Sequence, residues 1–213
     1  MKNNTILYFG FWSALATTFF AIIYIVPQLI IGIDMPESKK DLIFILLPSM
    51  FLALSFLIMM VAVHYYADED KKIWSHIGLL FALAYFIFVS IVYFTVLTVT
   101  MPHLLRGESA AVEVLRYVPK SFMTGIDALG YTAMSLATLF AAPVFSKTKL
   151  KKWICIVFIS NGVIAPIILS TQVFPLMAYA GATWILTMPL SSFLTMLLFR
   201  QELIINKKTL VTL

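Results

Sequence analysis

The sequence contains few charged residues and a single cysteine, and both shortages exclude classes of protein. Charged residues make up 12% of the 213 positions, against roughly 25% in an ordinary soluble domain. Because Cys155 is the only cysteine in the sequence, it cannot form an intramolecular disulfide or belong to a cysteine-rich metal site. The chain is therefore neither a typical soluble domain nor a disulfide-stabilised secreted one.

Motifs of the common enzyme classes are also missing. The chain has no glycine-rich phosphate loop, no HExxH zinc motif and no GxSxG nucleophile elbow. Of its histidines, His64 and His76 flank the acidic residues 68–70 and are the candidates for a metal site, but their spacing fits no established ligand pattern. We therefore expect no catalytic residue, no cofactor and no metal, and the sequence favours a non-enzymatic protein.

Hydrophobic residues are abundant instead, at 62% of the chain, and they form long runs. About 20 consecutive apolar residues are needed to cross a bilayer as a helix, because backbone polar groups find no water there. Six runs reach that length: 6–32, 42–66, 73–99, 122–145, 153–173 and 176–199. We predict an all-α polytopic membrane protein, with one domain over residues 1–213 and six transmembrane helices.

Lysine and arginine are unevenly distributed between the two sides of these helices. Ten lie on the side of the amino terminus: Lys2, Lys71, Lys72, Lys147, Lys149, Lys151, Lys152, Arg200, Lys207 and Lys208. Five lie on the other side: Lys39, Lys40, Arg106, Arg116 and Lys120. By the positive-inside rule, both termini are expected to be cytoplasmic, in a multi-pass protein of the plasma or inner membrane. The net charge of +5 is then a topology signal, and no nucleic-acid partner is expected.

Small residues recur every four positions in two of the helices. Ala133, Ala137 and Ala141 form such a ladder in the fourth run, and Ala178 and Ala182 repeat the spacing in the sixth. Small faces let helix backbones approach closely in lipid. We expect these faces to pack inside one bundle, while a homo-oligomer or another docking partner stays an alternative.

Prolines interrupt several predicted helices. Pro27, Pro48 and Pro166 fall in the outer halves of their helices under the expected topology, and Pro189 lies nearer the inner side. Each proline removes an N–H group and frees a carbonyl one turn earlier. We therefore expect the outer half of the bundle to be the less regular one.

Asp127 is the only acidic residue within any of the six runs. A charged group at the centre of a bilayer costs about 2.5 to 3.5 kcal/mol on insertion scales, so it usually has a partner or a function. If the helix begins near Ser121, Asp127 lies well inside it. If it begins at Thr124, Asp127 takes the third position, where an acidic residue caps the first turn. The sequence leaves both alternatives open.

A polar pocket around Asp127 has further candidate members. Tyr131 follows one turn later, Asn161 lies near mid-membrane, and Gln28 and Gln172 lie toward the outer side. Buried amides in lipid need partners, so hydrogen bonding between helices is the alternative to ligand binding. The outer connection 107–120 alternates apolar and charged residues at helical spacing, which predicts an amphipathic helix on the membrane surface.

Four stretches of the chain resemble a known family: "HYYA" at 64–67, "IWSHIGL" at 73–79, "PHLLRGE" at 102–108 and "DALGYTAMSLATLFAAPVF" at 127–145. The chain resembles an uncharacterised bacterial and archaeal family of small six-helix integral membrane proteins. No activity, cofactor or site residue is implied by this resemblance.

Three functions remain open from the sequence. The first is binding or transport of a small solute or lipid-like ligand through an outward-facing pocket near Asp127. The second is a structural or regulatory membrane subunit that docks partners through small-residue helix faces. The third is an intramembrane enzyme that uses Asp127 with His103 or Asn161.

Overall fold

The computed structural model describes the backbone of residues 3–31, 39–145, 148–174 and 176–211. Side chains are described over the same ranges except at 27–31, 39–42, 178 and 210–211. The described chain is all-helical, and six of its helices are long and apolar enough to cross a membrane. The α-helices are α1 (Asn4–Ile31), α2 (Lys39–Tyr66), α3 (Lys72–Thr95), α4 (Met101–Leu105), α5 (Phe122–Ala141), α6 (Lys149–Gly162), α7 (Ala165–Ser170), α8 (Met177–Gly181) and α9 (Trp184–Val211).

Among the six candidate spans, the third (Glu69–Leu105) and the fifth (Lys149–Ser170) are each interrupted close to a proline. A π-helical turn, Val96–Thr100, joins α3 to α4 just before Pro102. The fifth span breaks at residues 163–164, between α6 and α7. Pro166 explains this second break, because its ring would clash with the carbonyl of Gly162 one turn earlier and it donates no hydrogen bond.

Two predicted segments differ from the structure. The sixth helix was expected over 176–199, whereas α9 begins at Trp184 and continues to Val211. Apolar length alone ended the prediction at Arg200, but the glutamine, glutamate, leucine and lysine residues that follow are good helix formers in water. The outer connection 107–120 contains a 3₁₀ helix, Ser109–Leu115, followed by extended backbone at Arg116, instead of one amphipathic α-helix.

Helix α5 packs closely against α3 through its small residues. Ala133, Ala137 and Ala141 are all buried. A Cβ atom at Gly78 of α3 would lie 2.7 Å from the Ala137 carbonyl oxygen and 3.2 Å from the Ala141 amide nitrogen. The alanine ladder of α5 is therefore packed inside the bundle, where it contacts α3. The other predicted pair is described only in part, because the side chain of Ala178 lies outside the described residues.

Candidate functional site

A cavity of about 210 Å³ lies between α1, the first half of α5, α7, and the segment that connects α7 to α9. Asp127 and Thr124 line it from α5, and Gln172, Gly181 and Ala182 from the connecting segment. Tyr117 reaches it from the loop that precedes α5. All of these elements meet at the end of the bundle that carries residues 106–121.

The amino-terminal end of α5 determines where Asp127 lies. The helix begins at Phe122, and the side chain of Ser121 accepts a hydrogen bond from the Thr124 amide at 3.2 Å. Ser121 is therefore the N-cap residue, and the alternative start at Thr124 is wrong. Asp127 lies in the second turn of α5. Its carboxyl group accepts a hydrogen bond from the side chain of Tyr117 and not from the backbone of the first turn.

The carboxyl group of Asp127 is buried, with the residue 7% exposed. Its Oδ2 atom accepts a hydrogen bond from the Tyr117 hydroxyl group at 2.7 Å. The phenol of Tyr93 also lies close to this carboxyl group. Within the described residues, no group donates a hydrogen bond to Oδ1. In the described part of the chain, one oxygen of a buried acid thus lacks a partner beside a cavity, which is uncommon because buried polar atoms are nearly always paired.

Tyr117 lies outside the candidate membrane spans. Burial raises the pKa of its phenol well above the ordinary value, and the neighbouring Asp127 raises it further. The hydroxyl group therefore keeps its proton near neutral pH and serves as the donor in its bond to Asp127.

Aromatic rings form one wall of the cavity. The ring centroids of Tyr24, Tyr131 and Trp184 lie 5.3 to 6.4 Å from one another. The Tyr131 hydroxyl group is also 3.1 Å from that of Tyr93. Together with Tyr117, these rings place four aromatic side chains along a cavity that contains one carboxyl group.

Two candidate site residues from the sequence lie on this cavity with Asp127. They are Tyr131 and Gln172. Gln172 donates a hydrogen bond from Nε2 to the Thr124 carbonyl at 3.2 Å, which ties the connecting segment to α5. The side chain of Gln28 lies outside the described residues.

Asn161 lies elsewhere in the bundle and joins three helices. Its Nδ2 donates to the Thr138 hydroxyl group of α5 at 3.0 Å, and its Oδ1 accepts from the Thr187 hydroxyl group of α9 at 2.8 Å. The side chain is fully buried. Asn161 is not among the residues that line the cavity, and this arrangement is that of a hydrogen-bonded contact between helices.

Charged groups in residues 103–116 pair with one another. Arg106 contacts Glu108 at 3.0 Å, and Arg116 contacts Glu113 at 3.2 Å. The Arg106 hydrogen bond lowers the pKa of Glu108. His103 bonds the Val99 carbonyl through Nδ1 and approaches Glu108 through Nε2. No lysine or arginine is among the residues that line the cavity within the described chain.

The rings of His64 and His76 do approach each other, with centroids 5.4 Å apart. His64 also bonds the Ser75 hydroxyl group through Nδ1 at 3.0 Å. Over the described residues, no third histidine, cysteine or acidic side chain joins them in a group that could hold a metal ion.

A second cavity, of about 490 Å³, lies at the opposite end of the bundle between the start of α6 and the later part of α9. Its acid, Glu202, accepts a hydrogen bond from Tyr66 at 2.5 Å and lies 3.7 Å from Lys151. Lys151 also lies 5.0 Å from the Tyr66 ring centroid. The acid of this cavity therefore has a basic partner, whereas in the described residues no lysine or arginine lines the cavity beside Asp127.

Sequence reasoning missed three aromatic members of the cavity beside Asp127: Tyr24, Tyr117 and Trp184. Tyr24 lies in an apolar run where nothing distinguishes it from a packing residue. Tyr117 carried a signal, because it is an aromatic residue in a short polar connection ten residues before Asp127, the only acidic residue in the six apolar runs.

Comparison of the chain with protein-family models, with curated proteins and with solved structures gives no match.

Proposed function

We propose that this protein binds a small solute or a lipid-like ligand in the cavity beside Asp127. The observation that carries the proposal is the Oδ1 atom of a buried carboxyl group at the cavity wall, which has no hydrogen-bond donor among the described residues. A buried polar atom without a partner costs about 1 to 3 kcal/mol, so a ligand that pairs with it gains that energy on binding. The protein would also transport the ligand if the cavity opened in turn to the opposite side of the membrane.

We further propose that the protein spans the plasma or inner membrane with both termini in the cytoplasm. The excess of lysine and arginine on the side of the termini supports this orientation. The cavity lies at the same end of the bundle as residues 106–121, and in this orientation it faces the outside.

Cysteine labelling tests the orientation of the chain and the side to which the cavity opens. In a Cys155→Ser chain in intact cells, we expect Ala182→Cys at the cavity and the control Ser109→Cys to react with a membrane-impermeant maleimide from outside. Glu69→Cys, in the exposed turn before α3, should react only after the membrane is opened. The reverse pattern would overturn the orientation.

The same chain tests binding. A panel of small neutral, cationic and anionic solutes is added before the maleimide. At least one class should slow the modification of Ala182→Cys and leave that of Ser109→Cys unchanged. If no class protects Ala182→Cys, the binding proposal is wrong.

The two other functions have less support in the structure. The alanine ladder of α5 is covered by α3 within the chain, so a docking subunit would have to use another surface. The recorded contacts of His103 and Asn161 are with other residues than Asp127, so an enzyme built on those pairs lacks its geometry.

A further inference from the structure

We propose that the ligand of this cavity carries an organic ammonium group. The inference rests on the proposed binding function and names the chemistry that the site would select. Two features of the lining carry it: its single carboxyl group has no basic partner in the described chain, and its remaining wall is rich in aromatic rings.

The negative charge of Asp127 favours a cationic ligand. An ionised carboxyl group at this depth needs an opposite charge, because lipid and protein solvate it poorly. Arg106 and Arg116 pair with Glu108 and Glu113, and no lysine or arginine lines the cavity in the described residues. Among the described residues, therefore, no lysine or arginine complements Asp127, and a cationic ligand would supply the missing positive charge.

The hydrogen bonds of the Asp127 carboxyl group also favour a cationic ligand. Tyr117 occupies Oδ2 of Asp127, while Oδ1 has no donor in the part of the chain that the structure describes. A donor or a cation supplied by a ligand would complete the coordination of the carboxyl group. An anionic ligand would instead bring its negative charge close to that of Asp127, which costs roughly several kcal/mol in a poorly solvated site.

The aromatic wall distinguishes an organic cation from a metal ion. Tyr24, Tyr131 and Trp184 pack as neighbours along the cavity, and aromatic faces attract ammonium groups through their quadrupole, with tryptophan the strongest. Hard metal ions instead need several oxygen ligands, preferably carboxylates, and in the described residues no group of three histidine, cysteine or acidic side chains is present. An ammonium group with a short apolar substituent satisfies both the carboxyl group and the rings.

An ammonium group can belong to a free solute or to a phospholipid headgroup. Both share the chemistry that the site selects. A change of lipid composition separates these two sources.

The test is titration calorimetry of the full chain in nanodiscs of phosphatidylglycerol, at constant ionic strength. The probes are choline, benzyltrimethylammonium, and 3,3-dimethylbutan-1-ol, the neutral carbon analogue of choline. We expect the two cations to bind and the neutral analogue to bind at least about tenfold more weakly, because it has the shape and hydroxyl group of choline but no positive charge to attract the carboxylate. This comparison uses only the wild-type chain, so it does not depend on the folding of any variant.

Variants then locate the binding. Asp127→Asn should weaken choline binding by at least about tenfold. Trp184→Leu should weaken it by about threefold or more. The matched control Trp153→Leu, at the other end of the bundle and half-exposed, should leave it unchanged. Equal choline affinity in the wild-type and Asp127→Asn chains would overturn the assignment.

Outcomes separate this inference from the binding function itself. If the neutral analogue binds as well as choline, or if only anionic or neutral solutes protect Ala182→Cys, the cavity is a binding site and the ammonium assignment is wrong. If no solute protects Ala182→Cys, both the binding function and the ammonium assignment are wrong. Repeating the titration with phosphatidylethanolamine in the nanodiscs identifies the source. Weaker choline binding there supports a lipid headgroup as the ammonium ligand, and unchanged binding supports a free solute.

Discussion

The hydroxyl group of Tyr117 donates a 2.7 Å hydrogen bond to Oδ2 of Asp127, and this contact joins the loop before α5 to the second turn of the helix. It holds the only acidic residue in the six apolar runs at the wall of a cavity and leaves the second carboxyl oxygen, Oδ1, without a donor in the described chain.

The Tyr117–Asp127 bond should be measurable as a coupling energy. Hydrogen bonds to charged groups contribute about 1.5 to 3 kcal/mol, so Tyr117→Phe and Asp127→Asn should each lower the free energy of unfolding in detergent. In a double-mutant cycle the second substitution should cost less once the first is present, with a coupling of about 1 kcal/mol or more. Strictly additive effects would mean that the two side chains do not interact.

Tyr117 should keep its proton in strongly alkaline solution. Its pKa in the folded protein is raised above the ordinary value of about 10, so the stability from its hydrogen bond is present below pH 10 and is lost as pH rises through the higher, folded pKa. Carbon-13 NMR of Cζ-labelled tyrosine measures this, and Tyr117→Phe assigns the resonance. A Tyr117 resonance that titrates with a midpoint near pH 10 would contradict the burial of this phenol.

The close approach of α3 and α5 makes Gly78 intolerant of a side chain. Gly78→Ala would place Cβ 2.7 Å from the Ala137 carbonyl oxygen, and because that atom is backbone, the helices must separate. Such overpacking costs about 1 to 3 kcal/mol. Gly125→Ala is the matched control, since its Cβ would meet nothing within 4 Å. Equal melting temperatures of the two variants would rule out the tight contact.

Asn161 should stabilise the bundle without taking part in ligand binding. Asn161→Leu leaves Thr138 and Thr187 without their shared partner, and each interhelical hydrogen bond in a membrane contributes about 0.6 kcal/mol, with a maximum near 1.7. We expect a lower melting temperature and unchanged solute protection of Ala182→Cys. Loss of protection in a folded Asn161→Leu chain would return Asn161 to the ligand site.

Much of the fold follows from apolar length and small-residue spacing. The six candidate spans are visible in the sequence because lipid forces backbone groups to pair within each helix, and the four-residue spacing of Ala133, Ala137 and Ala141 predicts close packing inside the bundle. The path of α9 beyond Arg200 was not predictable from apolar length, because helix formation in water follows side-chain propensity.

The site was only partly visible in the sequence. Asp127 stands out as an isolated acid, and Gln172 and Tyr131 are polar groups in apolar surroundings. Tyr24 and Trp184 do not stand out, because their role depends on α1 and α9 meeting α5, and distant pairings leave no periodic signal in one sequence. Asn161 carried the same signal as Gln172, and only the positions of Thr138 and Thr187 show that it joins helices.

Photo-crosslinking with a diazirine-bearing quaternary ammonium probe tests most directly whether the cavity beside Asp127 binds a ligand. The full chain is labelled in phosphatidylglycerol nanodiscs, and mass spectrometry locates the modified residues. We expect modification at Tyr117, Trp184 and the segment 181–185, reduced by excess choline and by Asp127→Asn. Trp153 and Gln201 line the cavity at the opposite end of the bundle. Modification concentrated around these two residues, or spread over lipid-facing residues and insensitive to choline, would contradict a ligand site at Asp127.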